Sequence, residues 1–316
     1  MVPFIIRRLL QTAIVIVLVT FVTFMLIQLI PGDPVRAMLG GEASQEQIET
    51  LRQQLWLDKP VMVQYWHWVT NALHGDLGRS ISISTNQTVT SLISSRLPVS
   101  LYLALFSFII SPIAGILLGV IAATRRGSFI DPFINLFANI GVAIPIFWLA
   151  ILGAYAFGFK LHWLAIQGFT FPAEGVLTSV KQTIMPVFCL SVPAVAVLAR
   201  QTRSSVLEVI RQDYVRTAMA KGLRERQVVL THVLKNALIP VVTLLGMQVR
   251  IVIGGAVVVE QVFNINGIGR MMVTAGFGKD IPVLQGGVLV IALMVTVANL
   301  LVDISYGWLD PRIKYN

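Results

Sequence analysis

The chain has 316 residues, of which 56% are hydrophobic and only 12% are charged. Soluble domains carry roughly 25% charged residues, so this composition excludes an ordinary water-soluble protein and indicates that lipid is its main solvent. The formal net charge is +9. Its distribution along the chain indicates how the protein is oriented in the membrane, and it is not typical of nucleic-acid binding.

Six apolar segments predict an all-α, polytopic membrane protein with about six transmembrane helices. Most are near the ~20 residues that a helix needs to cross ~30 Å of hydrocarbon. They are residues 9–30, 101–123, 133–159, 184–199, 237–259 and 283–302. The first is too long for the apolar region of a signal peptide and lacks a small-residue cleavage site, so we expect a retained helix. The fourth is short and contains Pro186 and Pro193.

The region 31–97, between the first two segments, is the larger of two sizeable polar regions. Ser44 and Gln47 fit a capping box at the start of a helix that Pro60 must end. Residues 88–97 fit a short amphipathic helix that leads into the second apolar segment. A packed region without chemistry is one interpretation, and a docking face for an external partner is the other.

Charge asymmetry between the connecting segments predicts the orientation in the membrane. With the N-terminus inside, the inner segments are residues 1–8, 124–132, 200–236 and 303–316, and they carry 14 Lys/Arg and 6 Asp/Glu. The outer segments carry nine basic and nine acidic residues. The positive-inside rule therefore predicts that both termini are cytoplasmic.

A basic polar stretch between Asp213 and Pro240 stands apart from the apolar segments. It fits two short helices: Asp213 caps the first, and Gly222 ends it in the left-handed conformation before a second helix from Glu225 to about Leu238. Small residues in the first helix permit close approach to another backbone. We expect the following residues to contact a partner on the inner face: Asp213, Arg216, Thr217, Ala218, Ala220, Lys221, Gly222 and Leu223. Adsorption to anionic lipid is the alternative.

Signatures of catalysis and of a metal site are missing. The single cysteine, Cys189, permits no intrachain disulfide, and His67 and His74 lack a third ligand for zinc. Residues 278–280 read Gly-Lys-Asp and lack the remaining features of a phosphate-binding loop. We therefore expect no enzyme activity and no bound cofactor or metal.

Arg250 is the charged residue inside the fifth apolar segment. A charge at membrane depth is costly and is a functional candidate by default. We regard Arg250 as a candidate for the substrate pathway, with snorkelling or a structural ion pair as alternatives.

Several motifs occur in one order along nearly the whole chain. They are residues 30–34 (IPGDP), 75–78 (GDLG), the polar stretch at 213–240, residues 254–260 (GGAVVVE), residues 263–270 and residues 309–312 (LDPR). In this arrangement the chain resembles the inner-membrane permease subunits of binding-protein-dependent ABC importers of the dipeptide, oligopeptide and nickel group.

In that family the polar stretch is similar to the "EAA" loop, a coupling helix that sits in a cleft of the ATPase subunit. Arg216-Thr217-Ala218 stands where the family pattern has Glu-Ala-Ala, and Gly222 matches its glycine. Farther on only Leu234 matches the family's Ile-x-Leu-Pro, and Asn266 stands where this subgroup commonly has proline.

The resemblance implies the architecture of a larger assembly in a bacterial or archaeal cytoplasmic membrane. This chain would pair with a second, homologous permease, with two ATP-binding subunits inside and a substrate-binding protein outside. ATP and Mg would bind to the ATPase subunits. We divide the chain into an N-terminal transmembrane helix (1–30), an extracytoplasmic region (31–97) and a permease core (98–316) that includes the coupling hairpin (203–238).

The expected function is import of small peptides, with nickel or glutathione as alternative substrates of the same fold. An ATPase-independent secondary transporter or channel is the competing class, but inverted repeats and a buried carboxylate pathway are not apparent in the sequence. A membrane-anchored scaffold without conduction is the third interpretation.

Overall fold

The structure is a computed structural model, and it describes residues 2–29, 35, 44–54, 56–84 and 87–309. Regular structure in these residues is helical, apart from one isolated bridge between Arg79 and Thr88. The motif at residues 30–34 and most of the motif at 309–312 lie outside them.

In chain order the helices are α1 (Val2–Gln28), α2 (Gln45–Gln54), α3 (Val61–Leu73), α4 (Val89–Thr124), α5 (Ile130–Ala143), α6 (Ile146–Gly153), α7 (Val176–Val209), α8 (Asp213–Ala220), α9 (Glu225–Val228), α10 (Leu234–Ala237), α11 (Ile239–Val262), α12 (Ile268–Phe277) and α13 (Ile281–Leu309). Two π-helical segments, Ala154–Lys160 after α6 and Val229–Val233 between α9 and α10, complete the order.

Within the described part of the chain, five helices are long and apolar enough to cross a membrane. They are α4, α7, α11, the Ile6–Gln28 part of α1 and the Ile281–Val302 part of α13. Helices α5 and α6, with the π-helical segment that follows, count as a sixth only if a bent pair is one span. The predicted all-α polytopic fold is confirmed, and each predicted segment corresponds to one of these elements.

The third predicted span, 133–159, is not one straight helix. It is bent by 106° between Ala143 and Ile146. Pro145 lacks the N–H that would continue the helix, and it forces the preceding residue toward extended backbone. Ile144 accordingly has φ −73° and ψ 123°, and Pro145 has φ −62° and ψ 136°.

Other prolines leave their helices continuous. Helix α7 contains Pro186 and Pro193 and still runs for 34 residues, far beyond the predicted 184–199. Helix α4 starts at Val89 and passes through Pro98, so the predicted amphipathic helix at 88–97 is the first part of the second span. Packing neighbours hold a helix together at such points, which hydropathy alone does not report.

The described residues form two compact units. One comprises the described residues within 2–99 and 266–296, and the other comprises those within 100–265 and 297–309. The predicted capping box is confirmed in the first unit: Ser44 N–H donates to Gln47 Oε1 (2.9 Å), and Gln47 N–H donates to Ser44 Oγ (3.2 Å).

Buried polar groups organise the rest of the first unit. The Tyr65 hydroxyl of α3 lies 3.1 Å from Thr20 Oγ1 of α1. Asp280 is completely buried, and its Oδ2 accepts hydrogen bonds from Ser80 Oγ (2.6 Å) and from the backbone N–H groups of residues 81, 82 and 83. Because each carboxylate bond is charge-assisted, Asp280 fixes the loop before α4 against the start of α13.

In the second unit, α4 and α7 pack through small residues. Ser107, Ser111, Gly115 and Gly119 recur every four residues along one face of α4. The Ser107 and Ser191 hydroxyls are 3.1 Å apart. A Cβ atom on Gly119 would lie only 2.6 Å from the backbone oxygen of Ala199 in α7. This close approach is typical of helix packing inside membranes, where small residues let two backbones meet.

Candidate functional site

The residues from α8 to α10, which we call the hairpin, form the predicted pair of short helices. Helix α8 begins after Gln212, whose extended backbone (φ −70°, ψ 146°) makes it the N-cap without a side-chain cap bond. The prediction that Asp213 caps the helix is therefore wrong by one position. Asp213 lies in the first helical turn, where a negative charge still interacts favourably with the helix dipole.

Gly222 forms the turn of the hairpin in the predicted way. Its φ of +81° lies in the left-handed region, and its N–H donates to the Met219 carbonyl oxygen at 2.9 Å. Lys221 precedes it as the C-cap and donates its N–H to the Thr217 carbonyl oxygen. A residue with a Cβ atom is strained in this backbone conformation, which explains why glycine stands here.

The returning arm is less regular than predicted. The expected single helix from Glu225 to about Leu238 consists of α9, the π-helical segment Val229–Val233 and α10. A π-helical segment adds a residue to one turn and often marks a functional position in a helix.

The hairpin has its own apolar core, which reaches into the two neighbouring spans. The buried residues of this core are Ala123 of α4, Val206 of α7, and Val215, Ala218, Val228, Val233 and Ala237 of the hairpin. The amide of Asn236 also donates to the Tyr214 hydroxyl at 2.9 Å, which ties α10 to α8. The hairpin is thus joined to the ends of α4 and α7 by buried contacts.

The structure divides the predicted contact residues into two groups. Ala218 is 6% exposed within the hairpin core, and Leu223 packs partly buried against that core. Their small or apolar side chains therefore serve packing inside the hairpin. The remaining six predicted residues are exposed: Asp213, Arg216, Thr217, Ala220, Lys221 and Gly222.

Two large side chains that the sequence analysis did not select belong to the exposed surface of α8. Tyr214 is 44% exposed and Met219 is 43% exposed. Val215 and Ala218, three residues apart, mark the buried face of α8, and this spacing was the available signal that Tyr214 and Met219 point elsewhere. The charges beside them are weakly paired, since Arg216 and Asp213 are 3.8 Å apart and both exposed.

Arg250, the predicted pathway residue, lies about midway along α11 and is exposed in this chain. Its side chain makes no hydrogen bond or ion pair with any residue that the structure describes. Nearby Gln248 is 2% exposed, and its Oε1 atom has no hydrogen-bond partner in the described structure. The middle of α11 thus carries polar side-chain groups for which the described residues provide no hydrogen-bond partner.

These helices and the hairpin define a class: polytopic membrane proteins with a polar helical hairpin between two spans. Two family models match most of the chain. Residues 115–315 match the binding-protein-dependent transport system inner membrane component, and residues 1–104 match the N-terminal part of such a membrane component. The chain belongs to the family of inner-membrane components of binding-protein-dependent transport systems, and it is an integral inner-membrane transport permease subunit.

Relatives of similar length support this assignment. A putative peptide transport system permease protein of Brucella abortus is 41% identical over 316 residues, covering all of both chains. A probable peptide ABC transporter permease protein of Sinorhizobium fredii is 38% identical over 99% of each chain. A dipeptide transport system permease protein of Alkalihalophilus pseudofirmus is 38% identical over the whole of each chain.

The fold is also found in a solved structure. A chain of the methionine ABC transporter MetNI, crystallised in an inward-facing conformation, matches with a TM-score of 0.57 at 18% identity. The match covers 69% of this chain and 96% of that chain.

Proposed function

We propose that this chain forms half of the translocation pathway of an ATP-driven importer of small peptides. Three full-length relatives, at 38–41% identity, are named as peptide or dipeptide permeases, and this observation carries the proposal. The alternative substrates of the same fold are nickel and glutathione. The chain itself is proposed to hydrolyse no ATP, because ATP and Mg belong to partner subunits.

In this proposal the hairpin is the element that receives the movement of an ATPase subunit. Its surface of Tyr214, Arg216, Thr217, Met219 and Lys221 combines apolar area with positive charge, which suits a cleft with an acidic rim. The buried core that joins the hairpin to α4 and α7 gives such a movement a route into the spans.

The proposed arrangement places both termini and the hairpin in the cytoplasm, following the charge asymmetry. A second permease completes the pathway, two ATP-binding subunits dock on the inner face, and a substrate-binding protein delivers the peptide outside. The proposed domains remain a transmembrane helix (1–30), an extracytoplasmic region (31–97) and a permease core (98–316) with a coupling segment (203–238), which contains the end of α7 and the hairpin.

Reconstitution tests the function directly. The chain is co-expressed with a second permease, ATPase subunits and a substrate-binding protein of the same family from its own genome, purified by a tag on this chain and placed in lipid vesicles. We expect the ATPase to co-purify and labelled di- or tripeptide to accumulate only with ATP and the binding protein. Accumulation of Ni²⁺ or glutathione in place of peptide would select an alternative substrate, and uptake without an ATPase would select the secondary-transporter class.

A further inference from the structure

An ion pair fixes the first half of the broken third span to the helix that carries the hairpin. Arg203 of α7 donates from Nε to Asp131 Oδ1 (2.6 Å) and from Nη2 to Asp131 Oδ2 (2.8 Å). Asn135, one turn farther along α5, donates to the same Oδ1 (2.7 Å) and to the Asp131 carbonyl oxygen (2.8 Å). Two parallel bonds give the pair a fixed direction as well as strength.

The surroundings distinguish this pair from an ordinary surface contact. The side chain of Asp131 is 10% exposed and that of Arg203 is 27% exposed. By contrast, Arg216 and Asp213 on the hairpin are 3.8 Å apart and 72% and 99% exposed. Removal of one partner from a mostly buried pair leaves a charge without compensation, so such a pair is coupled to the position of both helices.

The location of the pair connects it to the hairpin. Arg203 lies three residues before Val206, which is completely buried in the hairpin core. At the other end of α5, a Cβ atom on Gly141 would lie 3.1 Å from the Ala196 Cβ atom of α7. Helix α5 is therefore held to α7 at both of its ends, up to the 106° bend that separates it from α6.

We propose that the Arg203–Asp131 pair is the link through which the hairpin moves the first half of the third span. The pair joins α5, the hairpin and the adjoining part of α7 so that they move as one rigid body. The bend at Pro145 lets α6 move separately from α5. This inference rests on the proposed function, because it assumes that the hairpin is driven by an ATPase. Arg203 and Asp131 act as positioning residues and need no contact with the substrate.

The test uses the complete reconstituted complex and measures peptide taken up per ATP hydrolysed. Asp131→Asn and Arg203→Gln are expected to assemble and hydrolyse ATP while this ratio falls about tenfold, a modest effect for breaking a mostly buried pair. Arg203→Lys keeps the charge but loses the two-point contact, so an intermediate ratio is expected. The double variant Asp131→Arg with Arg203→Asp restores opposite charges and is expected to recover part of the ratio.

A second measurement separates linkage from simple stability. Asn139 is exposed on α5, so Asn139→Cys in a Cys189→Ser background reports movement of that helix by its rate of thiol modification. The rate is expected to change with ATP in the parent and to lose that dependence with Asp131→Asn. Glu49→Gln, which removes the exposed Arg52–Glu49 pair (3.5 Å), is the matched control and should change neither readout.

The outcomes are distinguishable. An unchanged ratio and an unchanged ATP-dependent rate in Asp131→Asn would overturn the link. A loss of protein yield in proportion to activity, with the ratio per assembled complex unchanged, would also overturn it and leave a structural pair. A parent complex that transports no peptide and binds no ATPase contradicts the proposed function itself, whatever the variants do.

Discussion

At the scale of single residues, the backbone of Gly222 carries the sharpest requirement in the hairpin. Its φ of +81° is strained for other residues, whereas a Cβ atom built there meets nothing within 4 Å. Glycine is therefore required here for its backbone conformation and not for lack of space within the chain. The effect of backbone strain can thus be distinguished from that of a steric clash with the partner.

A substitution at Gly222 tests the turn. Gly222→Val is expected to cost about 1–2 kcal/mol in the left-handed conformation. ATP-driven uptake should then fall roughly 5–30-fold if the native turn is required for docking. Gly222→Asn is the matched control, because asparagine tolerates this conformation. Equal uptake by the two variants would contradict the requirement, and vesicle uptake together with ATPase co-purification measures it.

Arg250 gives a second residue-scale prediction. Insertion of a charge in the middle of a span costs about 2.5–3.5 kcal/mol of free energy on insertion scales. A role in the substrate pathway would explain why a costly charge stands at this depth. Arg250→Gln should reduce uptake of peptides with an extra carboxylate more than uptake of neutral peptides, and Arg250→Lys should preserve the preference. Competition between an acidic and a neutral dipeptide in vesicles measures the ratio. An unchanged ratio in Arg250→Gln would remove Arg250 from the pathway.

At the same scale, the sequence predicted the turn of the hairpin but not which side of α8 faces outward. Glycine at a helix end has a local cause, so position 222 was readable from its neighbours. Ala218 is buried in a core that includes Ala123 of α4, which is far away in sequence, and Val206 of α7. Burial of that kind depends on tertiary packing. From its small size the sequence analysis predicted that Ala218 lies close to a partner backbone, whereas in the structure it packs inside the hairpin core.

At the scale of elements, hydropathy located all the spans and missed how one of them is built. Pro145, Pro186 and Pro193 all interrupt apolar runs, yet only the first coincides with a break in the described helices. Pro186 is buried in α7, whereas Pro145 is exposed. Neighbouring helices hold a proline-containing helix together, and their positions are not written in the local sequence.

The small-residue face of α4 gives an element-scale prediction. A Cβ atom on Gly119 would lie 2.5 Å from the Thr202 Cβ atom and 2.6 Å from the Ala199 oxygen, so the helices must separate to admit it. Gly119→Ala should lower the stability of the purified chain by about 1–3 kcal/mol, the usual cost of overpacking. Gly254→Ala, where a Cβ atom meets nothing within 4 Å, is the control. Thermal unfolding in detergent measures both, and equal midpoints would contradict close packing.

At the scale of the whole molecule, the distribution of charge predicts which side of the membrane each connecting segment faces. The positions of the helices alone do not determine this orientation. Single cysteines replace exposed Glu174, between the third and fourth spans, and exposed Ser204, at the base of the hairpin, in a Cys189→Ser background. We expect a membrane-impermeant thiol reagent to label only Glu174→Cys in intact cells and both variants after permeabilisation. Labelling of Ser204→Cys from outside would reverse the proposed orientation.

The core that the hairpin shares with α4 and α7 has a consequence for the order of events during synthesis and membrane insertion. Ala123 and Val206 belong to spans made before the hairpin, and they complete the core in which Val215 and Val233 are buried. Its docking surface should therefore take shape only after α4 and α7 are inserted side by side. In a chain whose spans insert incorrectly, the docking surface of the hairpin does not form. Assembly of the importer therefore selects permeases that have already folded.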